Sequence, residues 1–294
     1  MKTPANFPSP GHTMEQQSGD IAEAFSRTAG KYDRFAEDHP NLARMRGKVY
    51  THLLRYLKPG ARLLELNAGT GTDAIYLAQQ GFTVHSTDIA AGMLSLLHQK
   101  IERLGLGDRL TVQECSFTEL DGVQGGPFEA VFSNLGGLNC IPDLRLVTRQ
   151  IPGLLRPGGL ITVVLMPPIC PWELVYAFTG NFRFAFRRLS RGGTPTHLEG
   201  IYFKTYYFTP REVIAAFGPA FSTLAVEGLS VFAPPAESKN LAWRRPRLYR
   251  TLCKLDDHLA QRAPFCGWGD FFILSMRYKP LTAMKTRTET ADKH

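Results

Sequence analysis

The chain reads as a doubly wound α/β fold, a mostly parallel sheet with helices on both faces. Three stretches carry that reading. Arg62 to Asp88 runs from a short apolar strand through a glycine turn into a helix, and on to a second strand finishing in an acid, the βαβ half-unit of such folds. Phe128 to Ser133 is apolar along most of its length, as a parallel strand covered on both faces must be. Leu160 to Met166 repeats that composition behind a Pro157-Gly158-Gly159 turn.

The chain has 294 residues, 44% of them hydrophobic, enough to bury a sizeable core in one large domain or two small ones. No apolar run reaches the roughly 18 residues a membrane span needs, and the first residues show no apolar signal region. Five cysteines at 115, 140, 170, 253 and 266 are odd in number and lack C-x-x-C spacing, which suits reduced thiols in a cytoplasmic protein without a metal site. The net charge of +8 raises the question of an anionic partner, nucleic acid or lipid. Its arginines gather at 183, 187, 188 and 191 and again at 244, 245, 247 and 250; solvated surface clusters are the plainer reading.

Taken in order, residues 1–18 are rich in Pro, Ser, Gln and Gly and are expected to be a disordered leader. Residues 19–58 form a helical cap: Ile21, Phe25, Tyr32 and Phe35 lie at helical spacings in two short helices broken near Gly30, and Leu42 to Leu57 continues as a third. Pro59-Gly60 ends it before the first strand. After the βαβ unit come a helix at Ala91 to Leu104, a strand at Arg109 to Cys115, the strand at 128–133 and a Gly136-Gly137 loop. A helix at Pro142 to Leu155 leads to the fifth strand. Residues 167–208 then interleave four arginines with eleven aromatics. An insert that long is usually functional, here a lid with a helix and a strand or hairpin at 201–208, its aromatics facing an acceptor or forming the lid's own core. Thr209-Pro210 caps a helix to Phe217, Phe221 to Phe232 is a sixth strand, Leu241 to Leu259 a basic helix, and Gly269 to Tyr278 a seventh strand. Residues 281–294 read as a disordered tail, leaving 19–280 as a single domain.

The turn presents bare backbone N–H groups, and the acid at the second strand's tip suits ribose hydroxyls, so the ligand is a nucleoside. A dinucleotide would place phosphates against Asp73, whereas Glu65 suits a ligand carrying positive charge. ELNAGTG, the helix behind it and VHSTD together resemble the class I S-adenosylmethionine-dependent methyltransferases, and LLRPGGLITVVLM is a second match. The resemblance implies a seven-stranded sheet whose last strand pairs antiparallel at the edge, with an N-terminal helical cap and a lid inserted after the fifth strand. It implies S-adenosyl-L-methionine as cofactor, its methionine end held by Glu65, Asn67, Ala68, Gly69, Thr70 and Gly71. Asp88 would take the ribose, Ile89 and Phe117 the adenine faces and Ser116 its amine, while Ser133, Asn134 and Leu135 would face the methyl group. Tyr32 is either a lid residue beside the sulfonium or a helix-packing tyrosine. Arg44 and Arg46 read as surface residues, with the cofactor carboxylate as their alternative. The family usually has Gly where Asn67 stands; asparagine tolerates left-handed backbone angles better than other side chains.

An activated sulfonium leaves the protein mainly to align an acceptor and exclude water. His197 is the candidate base, with Tyr206 and Tyr207 as positioners, a surface histidine being the plainer reading. The expected acceptor is a small molecule, apolar or aromatic, O- or N-nucleophilic, with any anionic group met by lid arginines. RNA or protein methylation is the alternative acceptor class, and a non-catalytic or nicotinamide-binding protein the alternative outside it.

Overall fold

The computed structural model describes residues 13–238 and 240–280. The expected tail, and the expected leader up to residue 12, lie outside them. From Thr13 the leader expectation fails: α1 spans Met14–Ala36, opened by a capping box in which Thr13 and Gln16 exchange side-chain-to-backbone hydrogen bonds. It is one helix, unbroken at Gly30. Ala24 and Ala29 are buried on its inner face, and that packing offsets the roughly 1 kcal/mol that an interior glycine costs. α2 follows at Pro40–Leu54.

The sheet strands are β1 (Arg62–Leu66), β2 (Thr83–Asp88), β3 (Leu110–Glu114), β4 (Phe128–Ser133), β5 (Leu155–Leu165), β8 (Phe221–Leu229) and β9 (Phe271–Tyr278); β6 (Thr194–Leu198) and β7 (Ile201–Thr205) form a separate hairpin. The main sheet is ordered β3-β2-β1-β4-β5-β9-β8. β9 runs antiparallel to both β5 and β8, so the last strand lies inside the sheet and β8 is the edge. α3 (Thr72–Gln79) and α4 (Ala91–Leu104) supply the first two crossovers. Strand order reverses between β1 and β4, the switch point at which open α/β sheets bind ligands.

Alternate side chains of β1 feed opposite layers. Leu63 packs with Val49, Leu53, Leu77 and Leu97 on one face, and Leu64 with Val147, Ile151, Val213 and Phe272 on the other. The helix expected over 142–155 is two short turns, Arg145–Thr148 and Ile151–Leu154, and β5 begins at once, taking the Pro-Gly-Gly turn into the strand. The basic helix breaks before Pro246 into Asn240–Arg244 and Pro246–Leu259. α2 is tied to β8 by Glu227, whose carboxylate meets His52 at 3.1 Å and Lys48 at 3.2 Å.

α1 crosses the carboxyl ends of the strands. Gln17 donates to the Cys140 carbonyl at 2.6 Å, Gly92 N–H donates to Ser26 at 3.2 Å, and Lys31 pairs with Glu199 of the hairpin at 2.9 Å. The lid is pinned at its root: Arg188, buried, donates to Glu173 at 2.8 Å and to the Asp270 carboxylate at 2.8 Å.

Candidate functional site

Beyond the ends of β1, β2 and β4 lies a cavity of about 250 Å³, walled by the glycine turn, the loop after β4, α1 and the hairpin. The turn is built from three left-handed residues: Asn67 at φ 51°, Gly69 at 56° and Gly71 at 80°. Asn67 accepts from Ser133 Oγ at 2.5 Å and donates to the Asn134 carbonyl at 3.0 Å, stapling the turn to the end of β4. Asp88 accepts from the Gly69 N–H at 2.7 Å and the Ala90 N–H at 2.8 Å. Burial raises its carboxyl pKa, and these backbone donors oppose the rise.

A second polar cluster fills one end. Asp73 pairs with Arg46, accepts from Tyr50 at 2.5 Å and from Asn134 Nδ2 at 3.0 Å. Arg46 is buried and lines the cavity, and its Nε has no hydrogen-bond partner. Burial alone would depress its pKa; the Asp73 charge outweighs that and raises it, so the cation persists. The expectation of a surface Arg46 is therefore wrong. Arg44, by contrast, pairs with Asp256 and Asp257 at 3.1 and 2.6 Å.

Of the residues singled out in the sequence, Asn67, Ala68, Gly69 and Asp88 line the cavity, as do Asn134 and Leu135. So do Tyr32, Ile89 and Phe117, and burial raises the Tyr32 pKa, keeping its hydroxyl protonated. Four others stand behind that wall. Glu65 is buried and accepts from Ser86 at 2.8 Å; burial first, and Asp73's charge second, push its carboxyl well above the usual range. Thr70 donates to Asp33 at 2.6 Å, Gly71 packs on Leu97, and Ser133 holds Asn67. Ser116 turns to Thr118 at 2.7 Å and lines a separate surface groove.

The three residues expected to do chemistry are not brought to the cavity. On β6 successive side chains point to opposite faces: Thr196 lines the cavity, whereas His197 is exposed and rests against Tyr202 with ring centres 4.6 Å apart. Tyr206 leaves β7 with its ring over Gly193, and Tyr207 lies under Arg188, 5.4 Å from the guanidinium. The lid arginines likewise do not enter. Arg187 and Arg188 are committed to Glu173, and Arg183 and Arg191 are exposed. Walls that sequence reasoning passed over are Ile21, Phe25, Met166 and the threonine pair Thr196 and Thr205, whose hydroxyls are 2.7 Å apart, while Phe203 is the lid aromatic that does reach the cavity. The alternation Ile201, Phe203, Thr205 on β7 was the available signal.

A family described as Methyltransferase domain matches residues 63–159. Demethylmenaquinone methyltransferases of Corynebacterium efficiens and Beutenbergia cavernae are 28% and 30% identical over 54% and 58% of this chain, and the chain spans 65% and 68% of their length. The tRNA 5-carboxymethoxyuridine methyltransferase of Escherichia coli K12 is 24% identical over 90% of this chain and 97% of its own. The crystal structure of Burkholderia thailandensis 1,6-didemethyltoxoflavin-N1-methyltransferase shares the fold with a TM-score of 0.57 at 16% identity, covering 92% of both chains.

Proposed function

Because the chain belongs to the class I S-adenosylmethionine-dependent methyltransferases, we propose that it transfers a methyl group to a small apolar or aromatic acceptor. The residues present fit the cofactor: a buried, unpartnered Arg46 Nε on the cavity wall suits its carboxylate, and Asp88 beside the Gly69 N–H suits its ribose. Ile89 and Phe117 supply apolar faces for adenine. When bound, S-adenosylmethionine supplies an electrophilic methyl on a sulfonium.

The chain's own contribution is alignment and exclusion of water. α1 and the hairpin close the cavity, and Tyr32 offers an aromatic ring attractive to a cation. Ile21, Phe25, Met166 and Phe203 give the cavity apolar walls beside the Thr196 and Thr205 hydroxyls, and these apolar walls are the observation that carries the acceptor class. Among the described residues no histidine lines the cavity, and the Cys140 thiol on its wall is pushed up to about 12 by burial. Asp73 and Asp88, which also line it, are engaged by Arg46 and by backbone N–H groups, so the acceptor that suits this wall is one acidic enough to ionise without a base, or one that attacks without losing a proton first. The demethylmenaquinone methyltransferase relatives support an acceptor of the quinone class.

Transfer to RNA is the second reading, favoured by the near full-length match to the tRNA enzyme. Radiolabelled methyl transfer to a demethylated naphthoquinol and, in parallel, to unmodified tRNA separates the two: label in tRNA alone refutes the small-molecule reading. Titration with S-adenosylhomocysteine and NAD tests the cofactor, and heat of binding from NAD alone refutes it.

A further inference from the structure

The lid carries exposed apolar side chains that the cavity does not use. Val175, Tyr176, Phe178, Phe182, Phe186 and Leu189 are all exposed, Phe178 at 92%. This is no fraying segment. Glu173 accepts from Arg187 twice at 2.7 Å, Arg188 anchors the lid to Asp270, and Arg187 lies 4.3 Å over the Phe184 ring. A pinned platform therefore presents large apolar groups to solvent, a pattern that marks an interaction surface. Arg183 and Arg191, exposed on the same segment, form no ion pair among the described residues.

The chain from 236 to 259 repeats that composition. Trp172 of the lid donates to the Phe232 carbonyl at 3.2 Å, just ahead of this stretch. Trp243, Leu248 and Leu255 are exposed along it, among exposed arginines at 244, 245, 247 and 250. Aromatic and aliphatic side chains mixed with cations suit an interface whose interior is hydrocarbon and whose surface is anionic. Single-stranded nucleic acid would use rings for base stacking; Val175, Leu189, Leu248 and Leu255 have none to offer. No helix among the described residues is long and apolar enough to cross a membrane, so attachment would be peripheral.

We propose that the exposed side chains of the lid, Val175 to Arg191, dock the protein on an anionic lipid surface. The aromatic and aliphatic groups enter the headgroup region while Arg183 and Arg191 meet lipid phosphates. The lid runs directly into β6, whose Thr196 walls the cavity, so docking would hold that hairpin near the bilayer. The surface goes beyond the methyl-transfer reading and stands without it.

Flotation of the full chain with vesicles of equal parts phosphatidylglycerol and phosphatidylcholine, against phosphatidylcholine alone, tests this at low and physiological salt. Binding to the anionic vesicles that weakens with salt is expected. An R183Q/R191Q variant should bind about 25-fold less, since each cation near such a surface contributes roughly fivefold. F178S/F182S should lose partitioning while keeping the wild-type melting temperature and S-adenosylhomocysteine affinity. No flotation of the wild type, flotation that both variants retain, or retention of tRNA lost in these variants without any vesicle binding would overturn the proposal.

Discussion

A Cβ built on Gly137 would lie 2.2 Å from Cγ of Asn67. The asparagine that occupies a left-handed position in the glycine turn thus depends on a side chain missing seventy residues later, in the loop after β4. Gly137→Ala should push Asn67 off Ser133 and Asn134 and weaken S-adenosylhomocysteine binding by about tenfold, measured by calorimetry. Asn67→Gly removes the clash and suits the φ of 51°, so the double variant should bind more tightly than Gly137→Ala alone. Additive losses would show that the contact is not what matters.

Arg46→Lys keeps a cation against Asp73 but removes the unpartnered Nε and the planar fork. The variant should fold and bind S-adenosylhomocysteine about tenfold to a hundredfold more weakly. Arg46→Met, which leaves Asp73 buried without its cation, should instead lower stability by about 3–5 kcal/mol in urea denaturation. Unchanged affinity in the lysine variant would remove Arg46 from the cofactor site.

His197→Ala should leave turnover within about twofold of wild type, because the imidazole faces solvent and Tyr202. Phe203→Leu, on the cavity wall, should shift KM for the acceptor by about tenfold. Steady-state kinetics with an established acceptor decides between them; a large kcat loss in His197→Ala would restore the histidine as a base.

Burial alone would raise the Glu227 carboxyl, but the His52 hydrogen bond and the Lys48 charge overcome it and hold the pKa at about 2. The unfolded group titrates near 4.5, so its contribution is complete above that pH and fades as pH falls towards 2. Glu227→Gln should cost on the order of 2 kcal/mol at neutral pH. Its deficit relative to wild type should shrink across that acid window when unfolding is followed by circular dichroism at successive pH values.

The βαβ unit was legible because its signals are local. The apolar run of β1, the left-handed Gly69 and Gly71 and the tip acid Asp88 depend on near neighbours alone. The Gly81 and Gly105 stops worked for the same reason. Two errors were local as well: Thr13 with Gln16 is a readable capping box, and Pro152 breaks a helix within one turn.

Sequence by itself determined the seven strands, the glycine turn and the acid at the tip of β2, and hence the family, while the place of the last strand inside the sheet was not among them. Only the tertiary structure decided which chemistry reaches the cavity. A one-residue change of parity on a strand exchanges its two faces, and the parity that turns Thr196 inward and His197 outward is set by packing the hairpin against α1, well over a hundred residues earlier. Arg46 became a cavity residue, and Glu65 a support behind the turn, because elements distant in sequence cover them. Burial of that kind is a property of the assembled layers, and no local pattern of residues encodes it.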